Sequence, residues 1–339
     1  MQFVTGDRTL QEADAIACNP DPQRNHIFAC AQYHLNEETK KRVGGITLYT
    51  LDEQNGKLQS GETIERAGVL DCCWNPDGNF LLSAEADGKL GCFQINSVED
   101  SPALELSSFY QLEPESIALA VDWNVTDPQK TIGSFSDGRV VLSDITAGDY
   151  TDSDGFEAHT DAEVWTVAFS KHSPFLFQSG GDDCRLKLWD SRQSLTANTP
   201  LASKRYDMGV TTIQSSPFDE NLFAVGSYDE TVSIWDRRNM RRAVSDVRVG
   251  GGVWRIKWNP ADPTLLLVAC MYNEFHLVQY QDDTLSLYAD RFGSPHHEVG
   301  KLAYGADWFT FPDQSGVVSH AAVCSFYDSS VSCWKLDKD

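Results

Sequence analysis

Short runs in which apolar and polar positions alternate dominate this chain, and each opens with the same shape. Val164-Trp165-Thr166-Val167-Ala168-Phe169 and Val253-Trp254-Arg255-Ile256-Lys257-Trp258 both read apolar, two free positions, apolar, one free position, aromatic. That rhythm fits a strand and disfavours a helix, whose apolar positions recur at three and four. The closing aromatic falls at Trp74, Trp123, Phe169, Trp258 and Trp308, with Ser215 in its place ahead of Pro217, at steps of 43 to 50 residues. One further period lies ahead of Trp74, from Ala13-Asp14-Ala15-Ile16-Ala17-Cys18-Asn19-Pro20 to Ile46-Thr47-Leu48-Tyr49, giving seven in all.

The far end of the period carries a second signature. Leu186-Lys187-Leu188-Trp189-Asp190 returns 46 residues later as Val232-Ser233-Ile234-Trp235-Asp236, and an Asp stands six residues before each Trp, at Asp183 and Asp229. The same offset links Asp87 to Phe93, Asp137 to Ser143 and Asp328 to Trp334. This is the WD-repeat pattern, in which each period supplies one four-stranded blade of a propeller. The expected fold is an all-β, seven-bladed WD40 β-propeller forming a single domain over residues 1–339. A ring of sheets leaves raw edges unless the termini pair, so residues near Gln2 to Val4 are expected to add the outer strand to the blade ending at Val331-Ser332-Cys333-Trp334.

The repeating Asp has a structural explanation. In a tight turn a carboxylate accepts backbone N–H bonds, and in WD blades it orients a His that reaches the Ser and Trp of the same blade; His159 fits that role beside Asp183 and Trp189. The sixth period departs from the pattern, with Tyr272-Asn273 where the Asp turn belongs. The polar stretch from Tyr33 to Val43 reads as a hairpin or a loop.

Composition narrows the function. The chain has 339 residues, 41% of them hydrophobic, enough for a large core. Its longest apolar stretch, Thr264 to Met271, is well short of the roughly 20 residues of a membrane span, and Met1 to Asp7 lacks the basic start and apolar run of a secretory signal. The nine cysteines form no CxxC pair, which fits reduced thiols and a cytoplasmic or nuclear setting. A formal net charge of −23 makes nucleic acid a poor ligand, because phosphate binding needs clustered cations. The one basic cluster, Arg237-Arg238 to Arg241-Arg242, reads as a solvated connection, and the acidic surface favours a cationic partner.

No GxSxG elbow, HExxH pair or glycine-rich phosphate loop is present, so no cofactor or metal is expected, and His296-His297 reads as a turn pair before a strand. The openers of the periods are more informative. Trp165 follows Glu163, Trp254 follows Gly250-Gly251-Gly252, and Tyr304 precedes Gly305-Ala306-Asp307, while Tyr228 and Tyr272 stand in turns expected to face the same channel mouth. Rings around an entrance, with Glu163, Asp182, Glu230 and Asp307 nearby, suit a cation held by aromatic faces and carboxylates. Aromatics in strands also pack between blades, so the rings fit either a cage or a core.

Several strings are more specific than the WD ending: Ser179-Gly180-Gly181-Asp182-Asp183, Gly226-Ser227-Tyr228-Asp229-Glu230, Gly251-Gly252-Val253-Trp254-Arg255-Ile256-Lys257-Trp258 and Tyr304-Gly305-Ala306-Asp307-Trp308. With them the chain resembles the eukaryotic WD-repeat family of diphthamide biosynthesis, the diphthine methyl ester hydrolases, also called diphthine methyltransferases; the likeness is densest from Glu163 to Lys335. The resemblance implies a hydrolase acting on the modified histidine of elongation factor 2, which releases one methyl group as methanol from an intermediate that also carries a trimethylammonium group. Applied to this chain, Trp165, Trp254, Tyr304 and Tyr228 would hold the ammonium, Glu163 or Asp307 would serve as base, and Arg255 or the backbone N–H groups of Gly251 and Gly252 would stabilise the oxyanion. A monomer is expected. The rival reading is a propeller adaptor that binds a protein or peptide on its top face without turnover, or reads a methylated lysine with the same rings.

Overall fold

The computed structural model of the chain describes all residues except 53–54, 99–100, 113–115, 289–290, 293–301, 312–318 and 337–339; the His296-His297 pair lies outside the described residues. Seven four-stranded antiparallel sheets are present. Six are built from consecutive strands, and the seventh takes Gln2–Arg8 as its fourth strand beside Ser330–Lys335. The expected closure is therefore in place, with Phe3 opposite Trp334 in register and stacked edge-on at 5.4 Å between ring centroids.

The first strands of the blades are Ala13–Cys18, Val69–Trp74, Ala118–Trp123, Thr166–Phe169, Val210–Ser215, Arg255–Trp258 and Ala303–Trp308. Each touches the first strand of the next blade, and the last touches the first, so they form the inner wall of a closed ring. Outer strands such as Lys57–Arg66 are largely exposed, as their polar sequences require. The stretch from Tyr33 to Val43 is a hairpin: it carries the end of Ile27–Leu35 and the start of Arg42–Asp52, joined by a turn in which Asn36 Oδ1 accepts the Glu38 and Thr39 N–H groups.

Packing follows the blades. One apolar cluster fills each junction between neighbours, for example Ile46, Leu48, Cys72, Trp74 and Phe93 between the first two blades, and Phe28, Tyr49, Phe309 and Cys333 across the closing junction. Fully burying one such large side chain stabilises the fold by roughly 1.5–3 kcal/mol, so the junctions supply most of the driving force. Hydrogen bonds stitch the inner wall at a fixed place, the residue before the closing aromatic. Asp122 Oδ2 accepts the Phe169 N–H at 2.7 Å, Gln214 Oε1 the Trp258 N–H at 2.5 Å, and Asp307 Oδ2 the Cys18 N–H at 3.0 Å. Burial pushes the Asp122 carboxyl up to about 6, even though it accepts the Phe169 and Trp123 N–H groups.

The WD aspartates act mainly in turns. Asp137, Asp183 and Asp229 each accept the N–H two residues on. In the fourth blade the network is complete: Asp183 to His159 Nδ1 at 2.8 Å, His159 Nε2 to Ser179 Oγ at 2.8 Å, and Trp189 Nε1 donating to the same Ser179 Oγ at 2.8 Å. Burial pulls the His159 pKa down against the attraction of Asp183, which favours the neutral ring in this buried chain. In the fifth blade Tyr206 replaces the His, its hydroxyl bonded to Ser233 and accepting from Trp235 Nε1. Ser179→Ala removes the hub of the fourth-blade network and leaves buried partners unsatisfied, a cost of about 1–3 kcal/mol; a lower urea midpoint than wild type is the expected result.

Candidate functional site

The inner strands order the channel by level. One residue after each strand's first buried position comes the set Asp14, Leu70, Leu119, Trp165, Thr211, Trp254 and Tyr304, and these seven residues line a single cavity of about 120 Å³ together with Tyr33, Tyr228 and Arg255. Three of the seven periods thus contribute an aromatic ring at the same level, and one contributes a carboxylate. At about 3.3 Å per residue, the closing aromatics lie roughly 13 Å farther along the channel, around a second cavity of about 280 Å³ at the other mouth.

The rings form a connected box. Trp165 and Trp254 meet edge to face with centroids 5.7 Å apart, Tyr228 lies 6.4 Å from Trp165 and 6.1 Å from Trp254, and Trp254 stacks on Tyr304 at 4.6 Å. Phe326 continues the chain of rings between Tyr304 and Tyr33, at 5.1 and 5.0 Å. This cluster, which also includes Met271 and Leu302, is separate from the blade-junction cores. The rings therefore pack on one another at the channel mouth, apart from the junction cores.

Backbone geometry explains the glycines before Trp254. A Cβ on Gly251 would stand 2.2 Å from the Cys270 carbonyl oxygen, and one on Gly252 would stand 2.8 Å from Met271 Sδ and 3.3 Å from the Tyr228 ring. Only glycine lets this segment run close enough to bring Trp254 against Tyr228. Val253 N–H donates to Ser227 O and Trp254 N–H to Ala269 O, while the Thr211 hydroxyl donates to Val253 O, fixing the Trp254 backbone from three sides. On the next blade, Met271 and Ala303 exchange backbone hydrogen bonds at 3.2 and 2.9 Å, which holds the Tyr304 strand against the sixth blade.

The charged groups divide sharply. Arg255 reaches down to Asp71 at 3.1 Å; burial works against its charge, and Asp71 and Asp14 outweigh it. Asp14 is 2% exposed, and its Oδ1 has no hydrogen-bond partner among the described residues. Burial pushes its carboxyl well above the usual range, with Asp71 adding to the effect while Arg255 and Arg42 oppose it. The indole N–H groups of Trp165 and Trp254 are likewise buried without a partner among the described residues. Glu163 stands at the rim, half-buried, its carboxyl raised by burial and by Asp182. Arg42, from the hairpin, lies over the Tyr33 ring at 5.8 Å.

Measured against the sequence expectations, Trp165, Trp254, Tyr304 and Tyr228 come together with Arg255, with Gly251 and Gly252 behind them and Glu163 at the edge. Asp307 does not join them. It occupies the stitching position, bonded to the Cys18 N–H and 3.6 Å from Lys257, and lines the cavity at the opposite mouth. The cause is its offset: three residues beyond Tyr304 it belongs to the level of Asp122 and Gln214. Tyr272 is also outside the box, 68% exposed on its turn, and Glu230 faces outward toward Arg248. Asp14, Tyr33 and Phe326 went unread in the sequence. Asp14 was reachable, since it sits at the repeat position of Trp165 and Trp254; Tyr33 and Phe326 enter from a hairpin and a turn whose approach no period reveals. Among the described residues no group of three or more His, Cys, Asp or Glu side chains is placed to hold a metal, and no helix is long and apolar enough to cross a membrane.

The fold and site define a WD40 propeller with an aromatic box at one channel mouth. The family model for the WD domain, G-beta repeat, matches residues 59–93, 151–190 and 201–236. A solved chain in the crystal structure of a mitotic checkpoint complex shares the fold, with a TM-score of 0.73 over 99% of this chain and 92% of that one at 16% identity. Among curated proteins, the diphthine methyltransferase homolog of Dictyostelium discoideum is 33% identical over 92% of this chain and 94% of its own length. The mouse diphthine methyltransferase is 35% identical over 87% of this chain and 67% of its own. The chain belongs to the diphthine methyltransferase family.

The raised carboxyl of Asp14 sets a pH dependence. A group whose folded pKa lies above its unfolded value stabilises the fold at low pH, and that contribution is lost as pH rises through the folded value. Asp14→Asn avoids this loss. Its melting temperature relative to wild type is expected to increase as pH is raised from the ordinary carboxylate range toward neutrality, as read by thermal melts in matched buffers.

Proposed function

We propose that this protein acts in diphthamide biosynthesis as a hydrolase, removing the methyl ester from diphthine methyl ester on the modified histidine of elongation factor 2 to give diphthine and methanol. The observation that carries this reading is the box itself: five rings, those of Tyr33, Trp165, Tyr228, Trp254 and Tyr304, around a cavity whose lining also holds Arg255 and Asp14, with Asp14 Oδ1 unpartnered among the described residues. Aromatic faces attract a quaternary ammonium, by about 2 kcal/mol or more for a desolvated contact, and such a group cannot compete for hydrogen bonds that rings do not offer. With the ammonium seated, the ester beside it meets the groups that hydrolysis needs. A carboxylate takes a proton from water, and Asp14 in the lining and Glu163 at the rim are two candidates. Arg255 and the indole N–H groups of Trp165 and Trp254 are the donors available to an oxyanion.

The relatives' name is that of a methyltransferase; the side chains here support transfer of the acyl group to water. A protein-borne substrate also needs a docking rim. Leu10, Met208, Tyr272 and Tyr327, exposed between 51% and 80%, all belong to turns at the box end of the inner strands, and the net charge of −23 suits approach by a basic surface.

The test is incubation of purified protein with elongation factor 2 bearing methyl-ester diphthine, measuring methanol against a boiled control. In parallel, elongation factor lacking the ester is incubated with methyl-labelled S-adenosylmethionine. Methanol release without label incorporation is expected, and Trp254→Ala should lower kcat/KM by about tenfold or more through the lost cation contact. Label incorporation would identify a transferase. Tight binding with no methanol would identify an adaptor.

A further inference from the structure

We propose that Asp14 is the general base that activates the attacking water, switched on by the cation that the aromatic box receives. The assignment rests on the hydrolase reading above and names the residue that reading leaves open between two carboxylates. Asp14 lines the cavity with the rings, whereas Glu163 does not. It is 2% exposed, and its Oδ1 is buried without a partner among the described residues. The other inner-wall carboxylates are all engaged: Asp71 with Arg255 and the Val121 N–H, Asp122 with the Phe169 N–H, Asp307 with the Cys18 N–H. A buried carboxylate oxygen without a partner costs stability, and a catalytic role is one of the reasons a fold keeps such a group.

Its surroundings explain the switch. Arg255 from the sixth blade and Arg42 from the hairpin favour ionisation, Asp71 from the second blade opposes it, and burial with Asp71 outweighs the two arginines. Tyr33, Tyr228 and Tyr304 and the Cys30 thiol lie within electrostatic reach, each pushed up by burial and so neutral near pH 7. Burial, aided by Asp71, raises the Asp14 carboxyl well above its ordinary range despite the two arginines, which favours the neutral acid in the free site. An ammonium entering the box adds a positive charge without adding a hydrogen-bond donor. It favours the ionised carboxylate, and the proton leaves to solvent.

The step balances. The Asp14 carboxylate takes a proton from water as the water oxygen bonds to the ester carbonyl carbon, and the carbonyl electrons move onto its oxygen. The tetrahedral species collapses, the bond to the methoxy oxygen breaks, and the proton on Asp14 passes to that oxygen to release methanol. The product is a carboxylic acid, which ionises, and Asp14 returns to its carboxylate form while the ammonium stays bound.

The coupling has a signature that needs no turnover. Titration calorimetry with tetramethylammonium, in two buffers of different ionisation enthalpy, should show about one proton released per cation bound at pH values where free Asp14 is protonated. Affinity should tighten by up to tenfold per pH unit in that range and level off above it. Asp14→Asn should bind the cation with no proton release, and its kcat should fall by about 100-fold or more. Should that variant fold poorly, wild type carries the test alone: the acid limb of the kcat profile should lie at lower pH than that of kcat/KM, because the cation is seated only in the complex. Cation binding without proton release overturns the proposal, as does Asp14→Asn retaining turnover. Full proton release in Glu163→Gln with kcat lost as far as in Asp14→Asn would assign the base to Glu163. Proton-linked binding by a wild-type protein that releases no methanol would remove the base role with the hydrolase reading, and leave a proton-coupled cation site.

Discussion

Everything at the channel mouth depends on packing between neighbouring blades. A single four-stranded sheet cannot bury both faces, so each blade of this chain is stable only against the next, and the seventh only against the first. The junction clusters meet this need all round the ring, and the strand Gln2–Arg8 completes it by giving the last sheet an outer edge from the other end of the chain. The closed ring turns residues as far apart as Asp14 and Tyr304, some 290 positions, into neighbours around one small cavity, with Tyr33 and Trp165 between them in the chain.

The inner strands then use depth to separate two tasks. At the level before the closing aromatic, side chains such as Asp122, Gln214 and Asp307 accept the N–H groups of the following blade. These are structural carboxylates and amides, satisfied by backbone. At the opposite end the same strands present Trp165, Trp254, Tyr304 and Asp14 around the cavity. Arg255 lies between the levels, lining both cavities and held by Asp71. The pair gives the floor of the box a fixed arginine without a large net charge.

The period made the architecture legible because every blade repeats its apolar pattern, and even the closure by the N-terminal strand follows from the need to cover an edge. The rings of Trp165, Trp254 and Tyr304 were legible for the same reason: each is a bulky residue at one position of the repeat. Asp14 stands at that position too, but its blade lacks the WD ending, and a lone acidic residue in an opener attracts no notice beside three aromatics. Asp307 shows the opposite hazard. It is near Tyr304 in sequence, yet a strand moves about 3.3 Å per residue, so three residues carry a side chain to another level of the channel. Tyr33 and Phe326 come from a hairpin and a turn, where the approach to the cavity is set by contacts such as Phe326 N–H to Leu302 O and Tyr33 N–H to Glu12 O rather than by any repeat.

The glycines before Trp254 connect these levels of description. In other periods the segment leading into the inner strand bears side chains, such as Ile117 and Glu163. Here Gly251 and Gly252 let the backbone close on Cys270, Met271 and Tyr228 to distances that a Cβ would forbid, and the result is that two rings from successive blades meet. A box for a cation needs faces that surround it, and rings fixed by main-chain hydrogen bonds lose little freedom when the ligand arrives. The same rigidity keeps water from reorganising around Asp14, so its burial is a property of the fold. A ligand that changes the charge next to that carboxylate therefore acts on a group the structure has already desolvated, where a given charge has far more effect than it would in water.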